Sequence, residues 1–463
     1  MRLRRTTRIA VLLLSAALVS ALGYAVYLLS RLAPVGTAYA AKTLCSGVFV
    51  ANRPAEDVIR EDIQADNHPL LRVIHPRVDV PHKTASATFL GLARRDATYR
   101  VYRGCALYFD ETTAAADAQL SSTPPAAGDR FPPDTDPNID AARVQSAIDW
   151  AFSEPDRERL RRTRAVVVLH RGRLLGERYA SGFSPHTPML GWSMTKSVAA
   201  ALTGILVQKG KLALTRNALL PQWSGPGDPR REITLDQLLR MTSGLRFTED
   251  HGDPLADVAL MLFTTGNAAA YAMDKPLEAR PGTRWRYSSG TSNILAALIR
   301  QALGASGEDY LQFPRRVLFE PIGMRDALLE SDASGNFVTS SYLYASPYDW
   351  ARFGQFLLQD GTWNGRRILP EGWVRYMSTL TPQSTRRDFG AHLWVKVPPP
   401  YDSPLHPAPQ LPPDAFHAIG HEGQFVSVIP SRQLVVVRLG LSRGKHVWDH
   451  DAFLTMLLAA VPP

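Results

Sequence analysis

Apolar residues are spread unevenly along this 463-residue chain. Ile9 to Ser30 contains no charged side chain and is dominated by Leu, Val and Ala. As a helix this run would extend about 33 Å, enough to cross the hydrocarbon core of a bilayer. Beyond residue 138 the pattern alternates between two periods. Ala141 to Phe152 carries helical spacing, and Asn293-Ile294-Leu295-Ala296-Ala297-Leu298-Ile299 is a second amphipathic run. Arg164 to His170 and Arg173 to Tyr179 read as paired strands around Arg171-Gly172. Phe425 to Ile429 and Leu434 to Leu439 predict another hairpin, across Pro430-Ser431-Arg432, and a helix near Asp449 to Ala460 closes the chain. Strands at both ends with helices between them predict an α/β (α+β) fold. One antiparallel sheet is built from both termini and flanked by helices, with a helical subdomain inserted.

The same pattern divides the chain into a basic tail (1–8), an apolar anchor (9–30), an extracytoplasmic segment (31–137) and a large domain (138–463). The third segment mixes short strand-like and helical pieces, holds both cysteines, and ends in a Pro-rich linker. That linker includes Ser122-Thr123-Pro124-Pro125 and Phe131-Pro132-Pro133-Asp134. Pro398 to Pro413 reads as a surface loop. Arg2, Arg4, Arg5 and Arg8 precede the apolar run and only Arg31 follows closely, so the amino end is expected in the cytoplasm. The remainder would then lie outside the inner membrane, in the periplasm, as a single-pass membrane protein. A secreted protein with a cleaved signal peptide is the competing reading, because Ala38-Tyr39-Ala40 fits an A-x-A site. The apolar run exceeds the usual signal core of about 7–15 residues, so an uncleaved anchor is expected.

Charge and cysteine content change this picture little. The net charge of +9 is partly the N-terminal arginines, and no basic block is interleaved with aromatics, so no nucleic-acid partner is expected. Cys45 and Cys105 are the only cysteines. In an exported chain they permit a disulfide, with two buried free thiols as the alternative. His446 and His450 have metal-compatible i, i+4 spacing but no third ligand is suggested, so neither a metal nor a cofactor is expected.

The candidate chemistry begins at Gly191-Trp192-Ser193-Met194-Thr195-Lys196-Ser197, immediately before the apolar run Val198 to Leu202. On a helix, positions i and i+3 share a face, so the Lys196 amine can reach the Ser193 hydroxyl. Serine becomes a useful nucleophile when a neighbour takes its proton, and a lysine can do so only if burial keeps it neutral. A serine in the first turn also sits among unpaired backbone N–H groups that favour developing negative charge.

Two further segments follow: Arg284-Trp285-Arg286-Tyr287-Ser288-Ser289-Gly290 and Ala418-Ile419-Gly420-His421-Glu422-Gly423-Gln424. In this order the three resemble the signature set of the serine β-lactamase and penicillin-binding-protein superfamily. Within it the chain looks most like class C β-lactamase-like esterases and 6-aminohexanoate-dimer hydrolases. Leu238 to Leu245, Tyr344 to Gly354 and Arg367 to Val374 fit the same pattern, over roughly residues 140 to 460. The resemblance implies a β-lactamase/transpeptidase-like fold, Ser193 as acylated nucleophile, Lys196 as proton acceptor and Tyr287 as proton shuttle to the leaving group. It implies an oxyanion hole made by the backbone N–H groups of Ser193 and His421, with Lys196 lowering the Tyr287 pKa. Ser289, Ala418, Gly420 and Gly423 become candidates for the substrate pocket. Ser289 stands where many penicillin-recognising members have Asn, and Ala418 where they have a cation, which argues against β-lactam or peptidoglycan work.

The reading that results is a serine hydrolase that forms an acyl-enzyme on a small ester or linear amide. A non-catalytic sensor on the same fold and a peptidoglycan DD-peptidase or β-lactamase are the alternatives. Asp349 and Arg352 are assigned to a structural helix start.

Overall fold

The computed structural model describes residues 2–65, 68–109, 130–217, 219–304, 307–404 and 411–462, with backbone alone at 2–9, 307 and 308. The Ser122 to Pro125 part of the expected linker lies outside the described residues, as do the side chains of the N-terminal arginines.

The apolar run belongs to a far longer element than its composition suggests. Helix α1 (Arg2–Phe49) continues past Arg31 and through Pro34, where short mixed pieces were expected. A proline removes one backbone hydrogen bond from a helix interior. Here the helix persists because its next four turns bury an apolar face, including Val35, Ala38, Ala41 and Leu44. That face lies against a four-stranded antiparallel sheet in sequential order: β1 (Ile74–Asp79), β2 (Thr84–Phe89), β3 (Leu92–Arg100) and β4 (Gly104–Leu107). Cys45 of α1 and Cys105 of β4 form a disulfide spanning 60 residues. Beside it Lys42 forms a buried ion pair with Glu330. The same carboxylate accepts the Ser46 hydroxyl at 2.9 Å and the Cys105 N–H at 2.7 Å. Residues 10–31 of α1, by contrast, are almost wholly exposed. By length and composition α1 can cross a membrane.

The large domain is built as its patterning predicts. A five-stranded sheet joins β5 (Thr163–His170) and β6 (Arg173–Tyr179) to β7 (Phe416–Gly420), β8 (Gln424–Ile429) and β9 (Leu434–Gly440). The order is β7-β8-β9-β5-β6, so the antiparallel pair β9–β5 stitches the two ends of the domain together, with Val436 opposite Val168. Both strands carry a continuous apolar stretch, Ala165 to Leu169 and Leu434 to Val437, because both their faces are covered. Val166, Val168 and Val436 pack with α2 (Ala141–Phe152) and the closing helix, through Val144, Ile148, Phe453 and Leu457. Val167, Val435 and Val437 face the larger core that holds α3 (Met194–Gln208), α4 (Ser289–Leu303) and α5 (Pro347–Leu358). Asp349 and Ser346 form a capping box at the start of α5, and the His450 ring is engaged by Trp448 Nε1 and Ser427 Oγ.

Candidate active site

Ser193 caps the amino end of α3, and that helix is buried along nearly its whole length, from Met194 to Leu206. The turn before it is constrained. Trp192 has φ of 46°, a left-handed conformation uncommon for a large side chain. Its ring meets His421 edge-on at 5.7 Å, and its indole N–H reaches Glu422 at 3.3 Å. Gly420, the last residue of β7, approaches the Gly191 carbonyl so closely that a Cβ would come within 2.2 Å of the oxygen. Only glycine allows this approach, and it brings the end of β7 against the turn that carries Ser193. Ser193 and His421, the two residues whose backbone groups are expected at the oxyanion hole, line the same cavity.

The Lys196 amine lies 2.9 Å from Ser193 Oγ, 3.0 Å from Ser289 Oγ and 2.9 Å from the Ser340 carbonyl. Lys196 is 2% exposed. Its contacts are hydroxyls and a carbonyl rather than a carboxylate, so burial wins and lowers its pKa from 10.5 to about 8. α4 sets up two of those contacts. Its first residue is Ser289, and Asn293 one turn later holds the Ser340 segment through hydrogen bonds of 3.1 and 3.2 Å.

Tyr287 stands just before α4, with its hydroxyl hydrogen-bonded to Ser193 and its ring packed against Trp394 and Phe389. Lys196 Nζ lies 5.0 Å from the ring centroid. The expected lowering of the Tyr287 pKa is contradicted. Burial, with the charge of Glu249 adding to it, pushes the phenol well above its ordinary value, and the Ser193 hydrogen bond offsets only part. The phenol therefore keeps its proton while the amine titrates near neutrality.

Ser289 has a second partner besides the amine. Its hydroxyl donates to Glu249 at 2.5 Å and its backbone N–H donates to the same carboxylate at 2.7 Å. The residue thus couples Lys196 to a half-buried acid. Ala418 and Gly420 belong to β7. Gly423 serves a turn pinned by the Tyr401 hydroxyl and the Arg438 guanidinium. Glu249 and its neighbour His251, whose ring meets His421 at 4.7 Å with a 31° tilt, escaped the sequence reading. The only local signal was an acidic pair, Glu249-Asp250, following the Leu238 to Leu245 segment. Burial lowers the His421 pKa to about 4, so its ring is neutral in the cavity it shares with Ser193. Among the described residues no cluster of three or more His, Cys, Asp or Glu side chains could hold a metal ion.

Comparison with known proteins agrees with this architecture. The chain is 27% identical over 224 residues to 6-aminohexanoate-dimer hydrolase of Paenarthrobacter ureafaciens, a match covering 46% of this chain and 56% of that protein. The chain therefore spans little more than half the length of this curated relative. Among solved structures, a penicillin-binding-protein homologue from Caulobacter crescentus superposes with a TM-score of 0.52 at 18% identity, covering 72% of this chain and 98% of that one. A family VIII carboxylesterase gives 0.51 at 16% identity, again covering 72% and 98%. At such identities the superpositions speak for the fold alone. The profile of the Beta-lactamase family matches residues 148–459, about two thirds of the chain, and the chain belongs to that family.

Proposed function

We propose that the protein is a serine hydrolase that cleaves an ester or linear amide through an acyl-enzyme on Ser193, held at a membrane by α1 with its catalytic domain on the periplasmic side. The observation that carries this reading is the buried amine 2.9 Å from the Ser193 hydroxyl, with a pKa brought down to about 8. A general base works best when its pKa lies near the working pH.

In this scheme neutral Lys196 takes the hydroxyl proton as Ser193 Oγ bonds to the acyl carbon. The oxyanion that develops is met by the backbone N–H groups of Ser193 and His421. Tyr287, protonated at all ordinary pH values, passes its proton to the departing alkoxide or amine and is reprotonated from Lys196. Water then attacks the acyl carbon by the same route in reverse, releasing a carboxylic acid and restoring the serine.

The test is covalent labelling of the full chain by a fluorophosphonate probe, with Ser193→Ala alongside. Labelling of the parent and its loss in the variant is expected. Undiminished labelling of Ser193→Ala overturns the assignment, and a parent that shows neither labelling nor a burst with p-nitrophenyl acetate favours a binding role.

A further inference from the structure

The cavity beside Ser193 has a volume of about 180 Å³, and part of its wall belongs to the helix that carries the apolar run. Leu32 and Val35 of α1 line it together with Leu71, Val258, Ala259 and Leu262. Ser193, His251 and His421 line it as well, with His68, Asp253 and Glu422, and ring contacts group His421 with His251 and Trp192. An engineered apolar cavity of about 150 Å³ admits benzene, so a stretch of hydrocarbon fits here.

Its position along α1 says where such a hydrocarbon comes from. The uncharged run ends at Ser30. Leu32 to Val35 follow at about 3–8 Å along the axis. That depth corresponds to the headgroup layer, which adds about 5–8 Å on each side of the hydrocarbon core.

The molecular surface agrees. Among the described residues, every exposed large apolar side chain lies in α1 or between residues 73 and 101, and none lies from residue 130 onward. Three of them gather at the end of the small sheet nearest the apolar run: Val73 at 42% exposure, with Leu90 and Leu92 at 67% and 71%. The hairpin carrying the two leucines is tied to α1 by the Thr37 hydroxyl, which donates to the Ala93 carbonyl at 2.7 Å. Val80 and Val101 lie at the opposite end of that sheet. Arg31 and Arg72 are exposed beside the apolar rim, as suits a surface that meets anionic headgroups.

We infer that the acyl group this enzyme transfers is an aliphatic chain drawn directly from the bilayer, so that the substrate class is membrane-resident acyl esters or amides. The inference rests on the acyl-enzyme reading above. The chain enters past Leu32 and occupies the aliphatic part of the cavity, with its carbonyl at Ser193. Ser193 Oγ bonds to that carbonyl carbon, and the bond to the headgroup oxygen or nitrogen breaks. The headgroup leaves with the proton relayed through Tyr287, and water completes release of the fatty acid.

The full chain is reconstituted in phosphatidylcholine–phosphatidylglycerol vesicles and given p-nitrophenyl acetate or p-nitrophenyl laurate, the laurate either in the same bilayer or in separate vesicles. The expected result is a kcat/KM at least tenfold higher for laurate than for acetate, with faster turnover when enzyme and laurate share a bilayer. Ala259→Trp, which fills the aliphatic part, is expected to cut the laurate-to-acetate ratio at least tenfold. Leu32→Gln at the entrance is expected to cut it severalfold and serves as the second probe should the tryptophan variant fail to fold. Equal turnover of the two esters, with ratios unmoved by either variant, overturns the lipid substrate while leaving the serine hydrolase standing. Equal laurate rates from shared and separate vesicles overturn entry from the bilayer. Turnover of neither ester, with no fluorophosphonate labelling, removes both readings together.

Discussion

Lys42 and Lys196 are both withdrawn from water, at 5% and 2% exposure, yet their surroundings differ in one respect. Lys42 meets the carboxylate of Glu330, whose remaining hydrogen-bonding capacity is taken by Ser46 and the Cys105 N–H. Lys196 meets Ser193, Ser289 and the Ser340 carbonyl, and its nearest acid, Glu249, is held one hydroxyl away. Burial lowers the pKa of both amines, but at Lys42 the Glu330 charge and its hydrogen bond oppose that shift directly, whereas at Lys196 the counter-charge stands one remove away. A directly paired buried charge holds two parts of a chain in place. On the reading proposed above, one fold uses the same side chain as a fastener in one place and as a base in another.

Lys196→Arg tests the base most severely. A guanidinium cannot be deprotonated in a protein, so acylation by p-nitrophenyl acetate is expected to fall by about 10³-fold or more. Retention of a tenth of the parental burst rate would break the contrast. The parental rate should rise with pH through about 8 as the amine loses its proton. Stability should follow the same sign. In the unfolded chain the amine titrates near 10.5, so between about 8 and 10.5 only the unfolded state holds that proton, and stability increases with pH across the window.

The fastener is tested by Lys42→Met, which leaves the Glu330 carboxylate buried and uncompensated. The loss is expected to be about 3–5 kcal/mol in denaturant unfolding. Adding Glu330→Gln removes the orphaned charge while keeping an acceptor for Ser46 and Cys105, and should restore a large part of that loss. Failure of the second change to restore stability would mean that Lys42 contributes packing rather than charge.

The subtlest effect belongs to Glu249→Gln. Its carboxylate raises the Lys196 pKa, so the amide should move the rising limb of the pH–rate profile down, by about one unit or less. An upward move would show that Glu249 acts on the amine in some other way.

These differences also mark what the chain discloses on inspection. Ser193 and Lys196 were legible because their contact is local, fixed by helical spacing. The sheet was legible because the strands at its two ends carry unbroken apolar runs. Glu249 was not, since its link to the amine runs through the Ser289 hydroxyl and joins segments 40 residues apart. The Tyr287 shift was hidden for a related reason. It depends on burial among Phe389 and Trp394 and on the same distant acid, not on the neighbouring amine. The continuation of α1 was obscured by Arg31, where the uncharged run stops. Only the tertiary surface supplied by β1 to β4 explains why the helix goes on.

The bridge between Cys45 and Cys105 gives one stretch of the connection between the apolar helix and the large domain a second covalent path. A single protease nick anywhere from residue 46 to residue 104 severs the polypeptide there, yet the sulfur atoms still tether the two fragments. Within that stretch, parting them takes a reductant as well as a cut.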